Sequence, residues 1–198
     1  MTRTDISNFL IHFTKGDSDE DAFKRLQKII SEKCLRGSTN LIKGEYCCVS
    51  FSEAPLGTLS EGLVNPQYYS RYSPFGIMVS KEWLFAQGGR PVIYQTDDEF
   101  NYLPESHRWR HVRYEPMHDP PIDFTWEREW RICCSELPFD SDVASIIVPD
   151  EGWAGRLIRK HEKEQDFRVM QYKLIFTDKM LAHMFYEPFR WKILTLQG

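Results

Sequence analysis

The chain has 198 residues, of which 41% are hydrophobic and 27% charged, and its formal net charge is −4. That composition fits one globular domain with a buried core and excludes a disordered chain, while the acidic balance excludes a global pull toward nucleic acid and leaves only a local basic patch to supply one. No stretch approaches the ~18–20 apolar residues of a membrane span, and MTRTDISNFLIHFTKGDSDEDA at the N-terminus has no long apolar run, so no signal peptide is expected.

NFLIHFT, residues 8–14, alternates: Phe9, Ile11 and Phe13 face one way, and Leu10, His12 and Thr14 the other. This predicts a strand with a polar spot on one face. Gly16-Asp17-Ser18 predicts a turn and a helix cap. DEDAFKRLQKIISEKCL then predicts an amphipathic helix, with Phe23, Leu26, Ile29 and Ile30 on its apolar face. RGSTNLIKGE reads as loop, and YCCVSFSE (46–53) as a second strand with Ser50 and Ser52 on one side. The Gly-, Pro- and Tyr-containing stretch APLGTLSEGLVNPQYYSRYSP suits a functional loop over a pocket.

FGIMVSKEWLF predicts a strand and a short helix, and RPVIYQT a short strand. Residues 97–122 carry no regular pattern. TWEREWRICC and VASIIVP read as strands, EGWAGRLIRKHEKE as a helix, FRVMQYKLIF as a strand, TDKMLAHMF as a helix and RWKILTL as a terminal strand. The mixture shows no regular βαβ repetition and no internal repeat. It predicts a single α+β domain over residues 1–198 with a mostly antiparallel core.

Glu127 and Glu129 stand out. On a strand, residues two apart share a face, so Glu127, Glu129 and Arg131 align opposite Trp126, Arg128, Trp130 and Ile132. Such a face is ordinarily solvated, but a strand bracketed by tryptophans and Cys-Cys reads as central, where acids need partners or a chemical task. His12 with Thr14, and Ser50 with Ser52, are individually bland: a histidine in an apolar strand is usually a satisfied core residue, and strand serines usually serve as hydrogen-bonding groups.

HRWRHVRY (107–114) interleaves Arg108, Arg110 and Arg113 with Trp109 and Tyr114, a pattern suited to single-stranded nucleic acid or a phosphate-bearing ligand, although snorkelling arginines on a solvated segment give the same pattern. His107 and His111 would share a helical face, but no third metal ligand is evident. The five cysteines, odd in number and twice in adjacent pairs, point to reduced thiols and a cytoplasmic location, and Cys-Cys is not the C-x-x-C of a zinc site. No G-x-G-x-x-G or G-x-S-x-G occurs, which disfavours a Rossmann site and a serine hydrolase.

Strand-borne His12/Thr14, Ser50-x-Ser52 and Glu127-x-Glu129 in that order resemble the ADP-ribosyltransferase superfamily. The stretches HFT, SFSEAPLG, PFGIMVSKEWL, RPVIY and FTWEREWRI are similar to the AbiGi-type abortive-infection (phage resistance) family. The resemblance implies an ADP-ribosyltransferase-like fold with a split-sheet core and NAD as substrate. His12 would bind ribose hydroxyls of NAD, with Thr14 beside it. Ser50 and Ser52 would shape the cleft or contact the nicotinamide ribose, and Tyr68, Tyr69 or Tyr72 would stack on nicotinamide. Glu129 would hold the ribose 2′-hydroxyl, and Glu127 would orient or deprotonate the acceptor.

A fixed carboxylate beside the developing oxocarbenium cation is what such chemistry needs. Two departures stand beside the resemblance: His on the first strand is followed by Ser-x-Ser, mixing the two branches of the superfamily, and the spacing from Ser52 to Glu127 is long. The leading expectation is a toxin-like effector of bacterial phage defence that transfers ADP-ribose to a nucleic acid or protein. The competing one is a non-enzymatic antitoxin or interaction protein that binds a cognate partner and exposes an apolar patch. A third is a nucleic-acid-binding defence factor using residues 107–114.

Overall fold

The computed structural model describes residues 7–53 and 73–196. β1 (Phe9–Phe13) leads into α1 (Asp19–Glu32), whose first turn is capped by the Ser18 hydroxyl accepting from Asp21 N–H. α1 ends where Lys33 adopts a left-handed φ of 50°, so the chain leaves the helix before Cys34 and forms β2 (Cys34–Arg36), not a further turn of helix. β3 (Cys48–Ser52) and β4 (Gly76–Ser80) follow, then α2 (Lys81–Ala86), capped by Ser80. RPVIYQT divides at Val92 into β5 (Arg90–Pro91) and β6 (Ile93–Gln95), which join different sheets.

Residues 97–122 contain a 3-10 turn at Asp98–Tyr102, the short α3 (Glu105–Arg108) and β7 (His111–Arg113). β8 (Glu129–Cys133), β9 (Glu136–Pro138) and β10 (Ala144–Val148) precede the long α4 (Glu151–Ile175), then α5 (Lys179–Ala182) and β11 (Lys192–Thr195).

Seven strands form one sheet in the order β11-β10-β4-β1-β3-β8-β5. All neighbours are antiparallel except β10 and β11, which are parallel and joined through α4, as a parallel pair requires a long crossover. β2–β9 and β6–β7 are separate two-stranded pairs. The expected single α+β domain with a mostly antiparallel sheet is present, but the seven strands run as one sheet where a split one was expected.

The larger core lies on one face of the sheet, where Leu10, Val49, Phe51, Ile77, Val79, Ile146 and Val148 meet Ala22, Phe23 and Leu26 of α1 and Ala154 and Leu157 of α4. A smaller cluster of Ile11, Phe13, Met78 and Ile147 lies on the other face. Gly76 permits the close approach of β4 to β1, since a Cβ there would stand 2.6 Å from the His12 carbonyl oxygen.

FRVMQYKLIF is helical, not a strand. No Gly or Pro interrupts the chain between Glu164 and the helix end at Ile175, and Gln165, Val169 and Tyr172, at i, i+4 and i+7, supply the inward stripe of a continuing helix. Among the described residues no helix is long and apolar enough to cross a membrane.

Candidate functional site

The strand registers decide which of the expected site residues meet. Ile11 stands opposite Ser52, and Ser52 opposite Glu129; Ser50 stands opposite Arg131. Directly opposed residues share a face, so Ile11, Ser50, Ser52, Glu129 and Arg131 lie on one side of the sheet. His12 lies on the other, with Phe51, whose ring it meets edge-on at 5.8 Å, and with Trp130, which is opposite Phe51. His12 and Glu129 therefore do not converge on one cleft.

Glu127 does not share a strand face with Glu129 either. Thr125–Glu127 is a 3-10 turn, and Arg128, at φ 44°, takes a left-handed conformation that breaks the period of two before β8 begins. Only Glu129 and Arg131 keep the expected alignment. They form a buried, two-pronged ion pair: Arg131 Nε donates to Glu129 Oε1 at 2.8 Å and Nη2 to Oε2 at 3.0 Å. The third prong, Nη1, donates to the carbonyls of His111 (2.9 Å) and Trp109 (3.3 Å), tying β8 to the β6–β7 pair. Both oxygens of Glu129 are thus engaged by its own strand neighbour.

Several other polar groups on and beside these strands are also engaged. Ser52 Oγ donates to the Glu127 carbonyl at 2.8 Å, and Thr14 Oγ1 to the Phe75 carbonyl at 3.2 Å. The Tyr94 hydroxyl accepts the Glu129 N–H at 3.2 Å and donates to the Phe124 carbonyl at 3.3 Å, and burial pushes its pKa up to about 12. His12 Nδ1–H donates to the Ser50 carbonyl at 2.8 Å. Burial pulls the His12 pKa below its ordinary 6.5, against the opposing effect of that hydrogen bond, and Lys15 lowers it further. Tyr68, Tyr69 and Tyr72 lie outside the described residues.

A polar cluster that the sequence reading missed sits at the strand ends on the His12 side. Glu53, one residue beyond β3, accepts from Lys81 Nζ with one oxygen and from Trp130 Nε1 with the other, at 2.8 Å. The Lys81 ammonium stands 5.9 Å from the Trp130 ring centre. Its signal was present in SFSE and SKEW, but no local spacing links Glu53 to Lys81.

No family model matches the chain, and neither a curated protein nor a solved structure does.

The basic segment does not form one face. Arg108 belongs to α3 and donates to the Leu103 carbonyl at 3.2 Å, and Trp109 Nε1 donates to the Ser106 carbonyl at 2.8 Å. Arg110 Nε donates to the Pro91 carbonyl at 2.9 Å. Arg113 pairs with Glu115, and that hydrogen bond, with the Asp97 N–H, holds the Glu115 carboxyl down at about 2. His111 is buried and hydrogen-bonds the Thr96 carbonyl, while His107 is exposed on α3, and no metal-binding group occurs among the described residues. The five thiols are free. Cys48 faces Cys133 across β3–β8, and burial, reinforced by that neighbour, pushes the Cys48 thiol up to about 12.

The exposed face of α4 is of a different kind. Arg156, Arg159, Lys160, Lys163, Phe167, Met170 and Leu174 follow at helical intervals of three and four and form one outward stripe, opposite Gln165 and Val169. Its first half is basic and its second apolar. Beyond it in the chain, Met180, Leu181 and Met184 are exposed as well, and Leu174, Ile175, Met180 and Met184 are each 72–84% exposed. The arm is braced by stacked rings, with Tyr172 and Phe185 at 4.0 Å and Phe176 and Phe185 at 5.4 Å.

Proposed function

We propose that the chain is an interaction protein that binds a protein partner through the C-terminal arm formed by the second half of α4, α5 and the turn after it. The observation that carries this is the exposed apolar surface of Phe167, Met170, Leu174, Ile175, Met180, Leu181 and Met184. Each of the seven is 44–84% exposed, within 18 consecutive residues of the chain, and a concentration of large apolar side chains in water marks a surface for a partner, where scattered single ones would not. The similarity to AbiGi-type sequences supports a partner within an abortive-infection system, with this chain as the restraining half.

The transferase reading has less behind it. It asks His12 and Glu129 to hold one NAD, yet they lie on opposite faces of the sheet, and Glu129 is occupied by Arg131. The test is a photo-crosslinking amino acid placed at Met184 in the native host. A discrete protein adduct is expected there, and none from the same amino acid at Tyr102, an exposed residue outside the arm. No adduct at Met184, or transfer of label from NAD that Glu129→Gln abolishes while the protein stays folded, overturns the proposal.

A further inference from the structure

The partner's chemistry can be read from the other half of the same stripe. A groove of about 500 Å³ runs between α1 and α4, lined among others by Gln27, Arg159, Lys160, Lys163, Glu164 and Phe167. Arg156 also lines it, so four cations stand against one carboxylate on a chain whose net charge is −4. Arg156 is paired with Glu20 at 2.8 Å and lies over the Trp153 ring at 4.2 Å, and Lys160 donates to Gln27 at 2.9 Å. Arg159 and Lys163 are exposed and have no ion-pair partner among the described residues.

Phe167 both lines the groove and begins the apolar half of the stripe. From Arg156 to Leu174 the stripe covers 19 residues of one helix, about 27 Å at 1.5 Å per residue step.

We infer that this stripe takes an amphipathic helical segment of a partner protein, with carboxylates toward one end seated on Arg159 and Lys163 and apolar residues toward the other seated on the arm. This inference rests on the interaction reading above. The lengthwise order of charge and apolarity selects this ligand class. A nucleic-acid strand would use the basic half and leave Met170, Leu174, Met180 and Met184 without a partner. A helix lying in a membrane interface carries its apolar face along its whole length with charge on the opposite face, whereas here both lie on one face in succession. A helix in a groove buries apolar anchors at i, i+3/i+4 and i+7, and charge complementarity sets its direction.

The test selects binders for the full chain from a displayed helical-peptide library with all surface positions randomised. Enriched sequences are expected to carry two or more Asp or Glu in one half and Leu, Ile, Phe or Met at i, i+3/i+4 and i+7 in the other. Arg159→Glu/Lys163→Glu should weaken them on the order of tenfold and remove their salt dependence, and Leu174→Glu should abolish binding, all with unchanged circular dichroism.

Binders that need Leu174 but lack segregated acids, or are indifferent to the charge reversal, overturn this inference and leave the arm as a docking surface. Binders indifferent to Leu174→Glu as well overturn both readings. Tighter binding of a dT12 oligonucleotide or of phosphatidylserine vesicles through Arg159 and Lys163 also overturns it.

Discussion

Glu129 and Arg131 show how a carboxylate that resembles a catalytic acid can have a structural role. Two residues apart on a central strand, they close a bidentate pair that is buried on both sides, with the remaining guanidinium nitrogen bonded to main-chain carbonyls. Removing one member of such a pair leaves the other charge buried, so Glu129→Gln should lower stability by about 3–5 kcal/mol. Urea denaturation of the variant checks this, and a loss below about 1 kcal/mol would mean that the pair contributes little. His12 offers a second test at this scale. Burial depresses its folded-state pKa below 6.5, so the unfolded chain takes up a proton before the folded one does. Its contribution is therefore fully present above pH 6.5 and is lost as the pH falls from there toward the depressed value. Wild type should lose stability over that interval, and His12→Gln should lose less, when denaturant midpoints are compared between pH 7.5 and pH 5.

Among the elements, those with local signals were legible in the sequence. Alternation marked β1 and the buried run marked β10, while Ser18 with its acidic first turn marked α1. In the structure Asp150 caps α4 as Ser18 caps α1, accepting from Trp153 N–H at 3.1 Å, and Asp150→Ala should lower stability by about 1 kcal/mol, as chemical denaturation would show. Elements whose state is set elsewhere were not legible. FRVMQYKLIF fits alternation as well as a helix until Gln165 is seen to accept from Glu187 N–H at 3.1 Å, a contact 22 residues away. The turn at Arg128, which separates Glu127 from Glu129, depends on a positive φ that no glycine announces. The candidate site divides in the same way. The shared face of Glu129 and Arg131 follows from the period of two, whereas the placement of His12 on the opposite face required the register of β1 against β3.

For the molecule as a whole, the distribution of surface matters more than the totals. A chain with net charge −4 collects cations along one helix face and exposes a run of large apolar side chains just beyond them in the sequence, on an arm braced by stacked rings. Because these apolar residues already face water in the isolated chain, replacing them removes little packing, and exposed substitutions ordinarily change stability by no more than about 0.5 kcal/mol each. Leu174→Glu/Met180→Glu/Met184→Glu should therefore leave the denaturant midpoint nearly unchanged while roughly halving or further reducing the fluorescence of a bound apolar dye such as anilinonaphthalene sulfonate. A core triple substitution would do the reverse, lowering stability by several kcal/mol, and the midpoint with it, and raising dye binding as the interior opens. The two measurements made together distinguish a surface held ready for a partner from one that packs against the rest of the chain. A large loss of stability in the triple variant would place the arm in the second class and remove the physical basis for the docking surface.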